Sequence, residues 1–241
     1  MQQKEAQELI ARTLGPAQGF DLGDIVFFAT GTEWGAYFPK THKAYNKLTE
    51  VGLASLDTRD LRDVETRRNG HYWLDKLRAV HYLLSGAADI KSIAENNHVI
   101  ALHAAHHFEF GNTTIVDRDQ LAGALLQDFK IIDGKSPGIP LKYRQIIFIG
   151  HGWNKMYERN LKDNGLDIWS VDKILAIVDS QLLHRHPGAT SLGPRLDKLL
   201  DQYNCSPLHV NNGANDAVYM LVTVILGVLW DNAWREQKDG S

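Results

Sequence analysis

The sequence predicts an α/β fold in which helices flank a mixed sheet of five strands. Short apolar runs rich in Val, Ile and Phe alternate along the chain with longer stretches whose apolar residues recur every three or four positions. The first pattern is typical of buried strands and the second of amphipathic helices. Their order, three strands followed by alternating helices and strands, is that of an α/β protein with a mixed sheet.

Size and composition favour one large domain. The chain has 241 residues, of which 44% are hydrophobic and 23% charged, and its formal net charge is −3. These values predict a folded domain over 21–236, preceded by a short amphipathic helix in 1–20. The near-neutral charge excludes a protein that binds polyphosphate over its whole surface. The single Cys205 is typical of a reducing compartment, so we expect an intracellular protein, cytoplasmic or nuclear.

The strands are predicted from apolar runs bounded by turn residues. The third run, AVHYLL, has a length that fits either a strand or a helix, and we favour a strand. The predicted strands are 24–30, 48–56, 79–84, 145–150 and 174–180.

The helices are predicted from apolar residues with helical spacing. The last of them contains the most apolar stretch of the chain, 217–230, which is too short to span a bilayer and predicts a buried core helix that Asp216 opens. The other predicted helices are 117–129, 153–164 and 192–203.

Three acidic residues follow or precede these elements at the places where α/β proteins form their sites. Glu33 comes three residues after the first strand, Asp179 closes the last strand, and Asp216 begins the last helix. Carboxylates brought together in this way could bind Mg²⁺, which prefers oxygen ligands. Taken singly, each has a structural explanation as a helix-start residue, a loop anchor or a solvated charge.

Four segments together resemble the DEDDh-type 3′–5′ exonuclease family of the ribonuclease H-like superfamily, in its fungal exonuclease-like branch. They are ATGTEW, IIFIGHGWNKM, IVDSQLL and NNGANDAVYMLVTVIL. The resemblance implies a ribonuclease H-like sheet. It also implies a site in which four carboxylates hold two metal ions while a histidine activates water.

The family pattern is interrupted at three positions of this chain. Gly31 stands where the first aspartate belongs, Met156 stands five residues after His151, and Asn211 replaces the histidine five residues before Asp216. Of the five family residues only Glu33 and Asp216 remain. Because two carboxylates neutralise a pair of divalent ions poorly, we expect no metal to bind with high affinity.

These departures favour a catalytically degenerate domain that binds single-stranded nucleic acid or a protein partner. One alternative is an active Mg²⁺- or Mn²⁺-dependent exonuclease in which Asp179, Glu158 or His209 replaces the missing groups. A second alternative is a purely structural protein-interaction module. The oligomeric state is left open.

Other clusters have stronger structural than functional interpretations. Histidines 103, 106 and 107 suit zinc on a helix, but a strand with packed or hydrogen-bonded histidines fits the neighbouring phenylalanines better. His184 and His186 are expected in an exposed turn. The arginines at 59, 62, 67 and 68 are interleaved with acids, which favours surface ion pairs over a phosphate patch. Trp34, Tyr37 and Phe38 line either a nucleotide pocket or the rim of the core.

Overall fold

The structure is a computed structural model. It describes residues 25–35, 40, 41, 47–62, 64, 70–88, 94, 95, 98, 99, 107–133, 143–171, 173–184 and 193–239. The helix predicted in 1–20 lies outside these residues, as does the start of the predicted 21–236 domain.

The strands of the described chain are β1 (Ile25–Trp34), β2 (Leu48–Asp57), β3 (Arg78–Leu84), β4 (Ala94–Glu95), β5 (His98–Val99), β6 (Thr113–Val116), β7 (Gln145–Gly150) and β8 (Ile174–Asp179). Six of them form one mixed sheet in the order β6-β3-β2-β1-β7-β8. Strand β2 runs antiparallel to both of its neighbours, while the β3–β6, β1–β7 and β7–β8 pairs are parallel. A separate two-stranded sheet pairs β4 with β5.

The described helices pack on both faces of the sheet. They are α1 (His71–Leu74), α2 (Ser85–Ala88), α3 (Arg118–Asp128), α4 (Lys155–Asp163), α5 (Ser180–Leu183), α6 (Leu196–Gln202) and α7 (Gly213–Asp239). Two 3₁₀ turns, Thr58–Leu61 and Ile168–Ser170, complete the set. No helix in the described ranges is both long and apolar enough to cross a membrane.

The α/β fold class is confirmed, and the strand count is corrected from five to six in the main sheet. All five predicted strands are present, including the third, which forms β3. The additional strand is β6, which pairs with β3 at the sheet edge. Its four residues are half-buried or exposed, so they lack the apolar run that marks the central strands.

The last helix begins three residues earlier than predicted. The side chain of Asn212 accepts hydrogen bonds from the backbone N–H groups of Ala214 and Asn215, at 3.2 and 3.1 Å. Asparagine is among the strongest N-cap residues, so the helix starts at Gly213 and Asp216 lies in its first turn. Asp216 is therefore a first-turn residue and does not open the helix.

Two apolar layers cover the two faces of the sheet. One contains α7 against residues of β1, β2 and β7, such as Phe27, Leu56 and Ile147. The other contains α3 and α4 against residues such as Phe28, Leu53 and Phe148. Helix α7 contributes to the first core from Ala217 to Ile225, which confirms the predicted buried core helix.

The start of α7 lies directly on the backbone of the sheet. Gly31 of β1 and Gly52 of β2 are paired across the two strands. A Cβ atom at Gly52 would lie 2.0 Å from the Cα of Ala214, and one at Gly31 would lie 2.2 Å from the carbonyl oxygen of Gly213. Only two residues without side chains allow the helix to approach this closely.

Candidate functional site

Three carboxyl groups gather where α7 meets the sheet. Glu33 and Glu50 are directly opposite each other in the β1–β2 pair. Asp216 lies on the first turn of α7, which packs on both strands. Asp216 and Glu50 both act on Glu33 electrostatically. The structure therefore brings Glu33 and Asp216 together and adds Glu50, which the sequence did not suggest.

Burial makes the charged forms of this cluster unfavourable. The pKa of Glu33 is raised to about 9, first by loss of solvent and then by the nearby Asp216 and Glu50. The pKa of Asp216 is raised to about 7, mainly by burial, although a hydrogen bond from the backbone of Asn211 opposes the shift. Near neutral pH, Glu33 therefore holds its proton.

The raised pKa values predict that the protein loses stability as the pH rises. A carboxyl group whose pKa is higher in the folded than in the unfolded state stabilises the fold fully below its unfolded pKa. That contribution is lost as the pH rises through the folded value. We expect the free energy of unfolding to fall between about pH 5 and pH 9. Urea unfolding of the wild type across this range measures the decline.

The Glu33→Gln variant should flatten this decline, because glutamine stays neutral at every pH. Asp75→Asn, at an exposed position, is the matched control and should leave the slope unchanged. Equal slopes for the wild type and Glu33→Gln would contradict the raised pKa of Glu33.

A buried chain of hydrogen bonds fixes Glu50. One carboxylate oxygen accepts from the backbone N–H of Gly213 at 2.7 Å, and the other lies 3.1 Å from Nε2 of His81. The Nδ1 atom of His81 lies 2.8 Å from the hydroxyl of Thr113. Glu50 and His81 are both fully buried. The chain thus ties the first residue of α7 to three strands of the sheet.

Asp179 has a structural task at the end of β8. Its Oδ1 atom accepts hydrogen bonds from the backbone N–H groups of Gly152 and Gln181, at 3.0 and 2.9 Å. Asp179 caps α5 and holds the turn after β7. Glu158, on α4, accepts a hydrogen bond from the indole N–H of Trp169. Neither carboxylate is among the groups that shift the pKa of Glu33.

His209 lies beside the carboxyl cluster, where its side chain contacts His107 and Glu109. Its ring stacks on that of His107, with centroids 4.2 Å apart, and its Nε2 lies 3.2 Å from a carboxylate oxygen of Glu109. The side-chain amide of Asn215 donates to the backbone carbonyls of both histidines. These contacts hold residues 107–112 in a turn, so the predicted strand does not extend through Phe108 and Phe110.

The three positions that depart from the family pattern have different surroundings. Gly31 has no room for a side chain, because Gly213 occupies the space. Asn211 is exposed, has a positive φ of 69°, and donates its backbone N–H to Asp216 at 3.3 Å. Met156 lies in the first turn of α4, and its side chain is outside the described part.

The turn after β7 places a neutral histidine at the same sheet edge. Burial and the nearby His184 lower the pKa of His151 to about 4. Its Nδ1 lies 2.9 Å from the hydroxyl of Ser180. On α4, burial raises the pKa of Tyr157 to about 12, and its hydroxyl accepts a hydrogen bond from the hydroxyl of Thr32 at 3.3 Å. Both side chains are fixed within the fold.

The predictions for the arginine, histidine and aromatic clusters have different outcomes. Arg59 forms an ion pair with Asp57 at 2.6 Å, which confirms the structural interpretation at that position. His184 lies in a turn, as expected, but it is half-buried and contacts the hydroxyl of Tyr203 at 2.9 Å, so the expected exposure is wrong there. Trp34 packs at the rim of the second core. The other predicted members of these clusters lie outside the described residues: 37, 38, 67, 68, 103, 106 and 186.

Sequence reasoning missed Glu50, although a signal was present. The strand LTEVGLASL carries a single acidic residue in an otherwise apolar or small run, and AVHYLL carries a single histidine. Buried polar groups of this kind require partners. Strand pairing sets their register, with Glu50 opposite Leu83 and therefore beside His81. Sequence alone does not give that register.

One comparison with known proteins identifies a relationship. A family model described as DNA polymerase III subunit epsilon-like, C-terminal domain, matches residues 38–226. The match includes Met156, Asn211 and Asp216 but begins after Glu33. A search of curated proteins finds no match. The fungal branch stays a prediction.

Proposed function

We propose that this chain, which belongs to the DNA polymerase III subunit epsilon-like C-terminal domain family of DEDDh exonuclease-like proteins, acts by binding and not by hydrolysis. The observation that carries the proposal is the contact between Gly31 and Gly213. An aspartate at Gly31 would place its Cβ 2.2 Å from a carbonyl oxygen of α7. The first metal ligand of the family pattern therefore has no space in this fold.

The other residues do not fit a pair of metal ions either. Two closely spaced divalent ions need several anionic ligands to offset their charge. Both oxygens of Glu50 are already hydrogen-bonded, one to the backbone N–H of Gly213 and the other to His81. Within the described ranges, no three His, Cys, Asp or Glu side chains form a group that could hold a metal. The residues present therefore support no hydrolytic step through Mg²⁺ or Mn²⁺.

A nuclease assay tests this proposal. We expect labelled single-stranded RNA or DNA to keep its length in the presence of Mg²⁺ or Mn²⁺, with the same result for a Glu33→Gln, Asp216→Asn double variant. Loss of a general base alone typically lowers a rate by about 10²–10⁴. Metal-dependent shortening by the wild type that the double variant abolishes would establish the active alternative.

A repair variant sharpens the test. Gly31→Asp, Met156→Asp and Asn211→His together recreate the family pattern in the sequence. We expect this triple variant to remain inactive, because the residue at 31 collides with α7. The double variant Met156→Asp, Asn211→His lacks the collision and controls for folding. Activity in the triple variant would show that α7 can move to make room for the aspartate and that the fold can still form the catalytic site.

Between the two binding roles, the described surface favours a protein partner. Phe110, Leu208 and Val210 expose 45%, 59% and 38% of their surface beside the carboxyl cluster. Phe110 and Leu208 both contact Tyr219, which places them on one rim. The neighbouring Glu109 adds an acidic side chain to this rim, which disfavours phosphate groups. Exposed apolar residues in one patch are typical of protein contacts.

A titration separates the two binding roles. We expect no saturable binding of labelled single-stranded RNA or DNA at low salt. Binding that weakens steeply as salt is added would instead identify a nucleic-acid-binding domain.

A further inference from the structure

We infer that a cavity on the face of the sheet opposite Glu33 binds a compact anionic ligand, consisting of one phosphate or carboxylate group on an apolar body. The cavity has a volume of about 250 Å³. It lies between the start of β2, the end of β3 and the first residues of α2 and α3. Its lining includes Leu48, Leu84, Ser85, Lys47 and Arg118.

A shift in strand register separates this cavity from the carboxyl cluster. Glu33 pairs with Glu50, but the next residue, Trp34, pairs with Leu48. The extra residue in β2 turns Leu48 away from α7, and its side chain joins the second core together with Leu84. The cavity and the carboxyl cluster therefore lie at the same sheet edge but on opposite faces.

The charge of the cavity is positive. Lys47 and Arg118 both line it, and no carboxylate does so within the described part of the chain. The hydroxyl of Ser85, which also lines the cavity, donates a hydrogen bond to Asp117 at 2.6 Å. An anion entering the cavity would meet two cations that have no ion-pair partner among the described residues.

Arg118 is held in place for such a role. Its guanidinium donates to the backbone carbonyl of Leu48 at 2.8 Å and to the side-chain oxygen of Asn164. Both acceptors are neutral, so its charge is not cancelled, and three of its five N–H groups remain for a ligand. A guanidinium fixed in this way suits the planar, two-pronged geometry of phosphate and carboxylate groups.

The shape of the cavity limits the ligand. Pockets for drug-sized molecules usually measure about 300–1,000 Å³, so this one accepts a smaller body. The lining combines the apolar side chains of Leu48 and Leu84 with the two cationic residues. The arrangement matches a ring or short hydrocarbon that carries a single anionic group. This inference does not depend on the proposed function.

Calorimetric titration of the full chain, in buffer containing a chelator, tests the inference. The probes are phenyl phosphate, benzoate, inorganic phosphate and the neutral benzyl alcohol. We expect saturable binding of phenyl phosphate or benzoate, at least tenfold tighter than that of benzyl alcohol and weakened by added salt. The tighter of the two anionic probes identifies the preferred group.

Charge-removing variants locate the binding. Arg118→Gln should weaken the anionic probe at least tenfold and Lys47→Gln severalfold, while Lys198→Gln on α6 should leave it unchanged. Circular dichroism checks that each variant is folded. Binding of benzyl alcohol as tight as that of the anions, equal binding by Arg118→Gln and the wild type, or no saturable binding of any probe would each overturn the inference. The chelator makes these outcomes independent of the nuclease assay.

Discussion

Replacing Gly52 by alanine will lower the free energy of unfolding by about 3 kcal/mol or more, at the severe end of overpacking in a close-packed core. The added Cβ would lie 2.0 Å from the Cα and 2.2 Å from the backbone nitrogen of Ala214. Neither atom can rotate away, because both belong to the first turn of α7. The helix must therefore move off the sheet, and the apolar contacts of its first turns would loosen. Urea unfolding followed by circular dichroism measures the loss.

Gly123→Ala is the control for this substitution. Gly123 lies inside α3 and has no atom within 4 Å of its added Cβ. Alanine there should stabilise the protein by about 0.5–1 kcal/mol, because it restricts the unfolded chain and favours the helix. If Gly52→Ala proved as harmless as Gly123→Ala, the backbone contact between α7 and the sheet would be wrong. Gly31 would then also have room for the side chain of a metal ligand.

Replacing Glu50 by alanine will cost about 2–5 kcal/mol, because two buried polar groups lose their hydrogen-bond partner at about 1–3 kcal/mol each. The substitution leaves the imidazole of His81 and the backbone N–H of Gly213 buried without their partner. It also removes a negative charge from the positive end of the α7 dipole. We expect the midpoint of urea unfolding to fall accordingly.

A double-mutant cycle distinguishes the pair from a simple cavity effect. His81→Ala alone should also destabilise the protein, and the double variant with Glu50→Ala should cost less than the two single losses added together. The control is Arg78→Ala, which removes an exposed ion pair with Asp60 and should cost at most about 1 kcal/mol. Strictly additive losses at Glu50 and His81 would contradict a direct interaction between them.

The apolar patterns of the chain were enough to predict the central part of the fold. The run QIIFIG forms β7 over the predicted residues, and the run IVFFAT begins β1, because short continuous apolar runs rich in Val, Ile and Phe are typical of strands in a sheet covered on both faces. The edge strand β6 escaped prediction because its residues are half-exposed and carry no such constraint. Helix α7 starts three residues before the predicted position because Asn212, and not Asp216, caps its first backbone N–H groups.

The candidate site was less predictable than the fold. The sequence placed Glu33 near a strand end and Asp216 near a helix start, and it predicted Asp179 as a site residue on the same grounds. In the structure, Asp179 instead accepts hydrogen bonds from backbone N–H groups at the end of another strand. Glu50 was not predicted as a site residue, because its partner, His81, lies on the neighbouring strand and is set by strand pairing. Contacts between residues distant in the chain are set by strand register and helix docking, and no local pattern encodes either of them.

By itself, the sequence determined that this chain folds as an α/β domain with its last helix buried, and that three positions of the family pattern carry residues of different chemistry. The tertiary structure decided that the helix rests on two glycines, which leaves no space for a side chain at Gly31, and that Glu50 joins the remaining carboxyl groups. The reason is geometric. Hydrophobic periodicity can be read from the order of residues in the chain, whereas the distance between a helix and a sheet is set only when the two pack together.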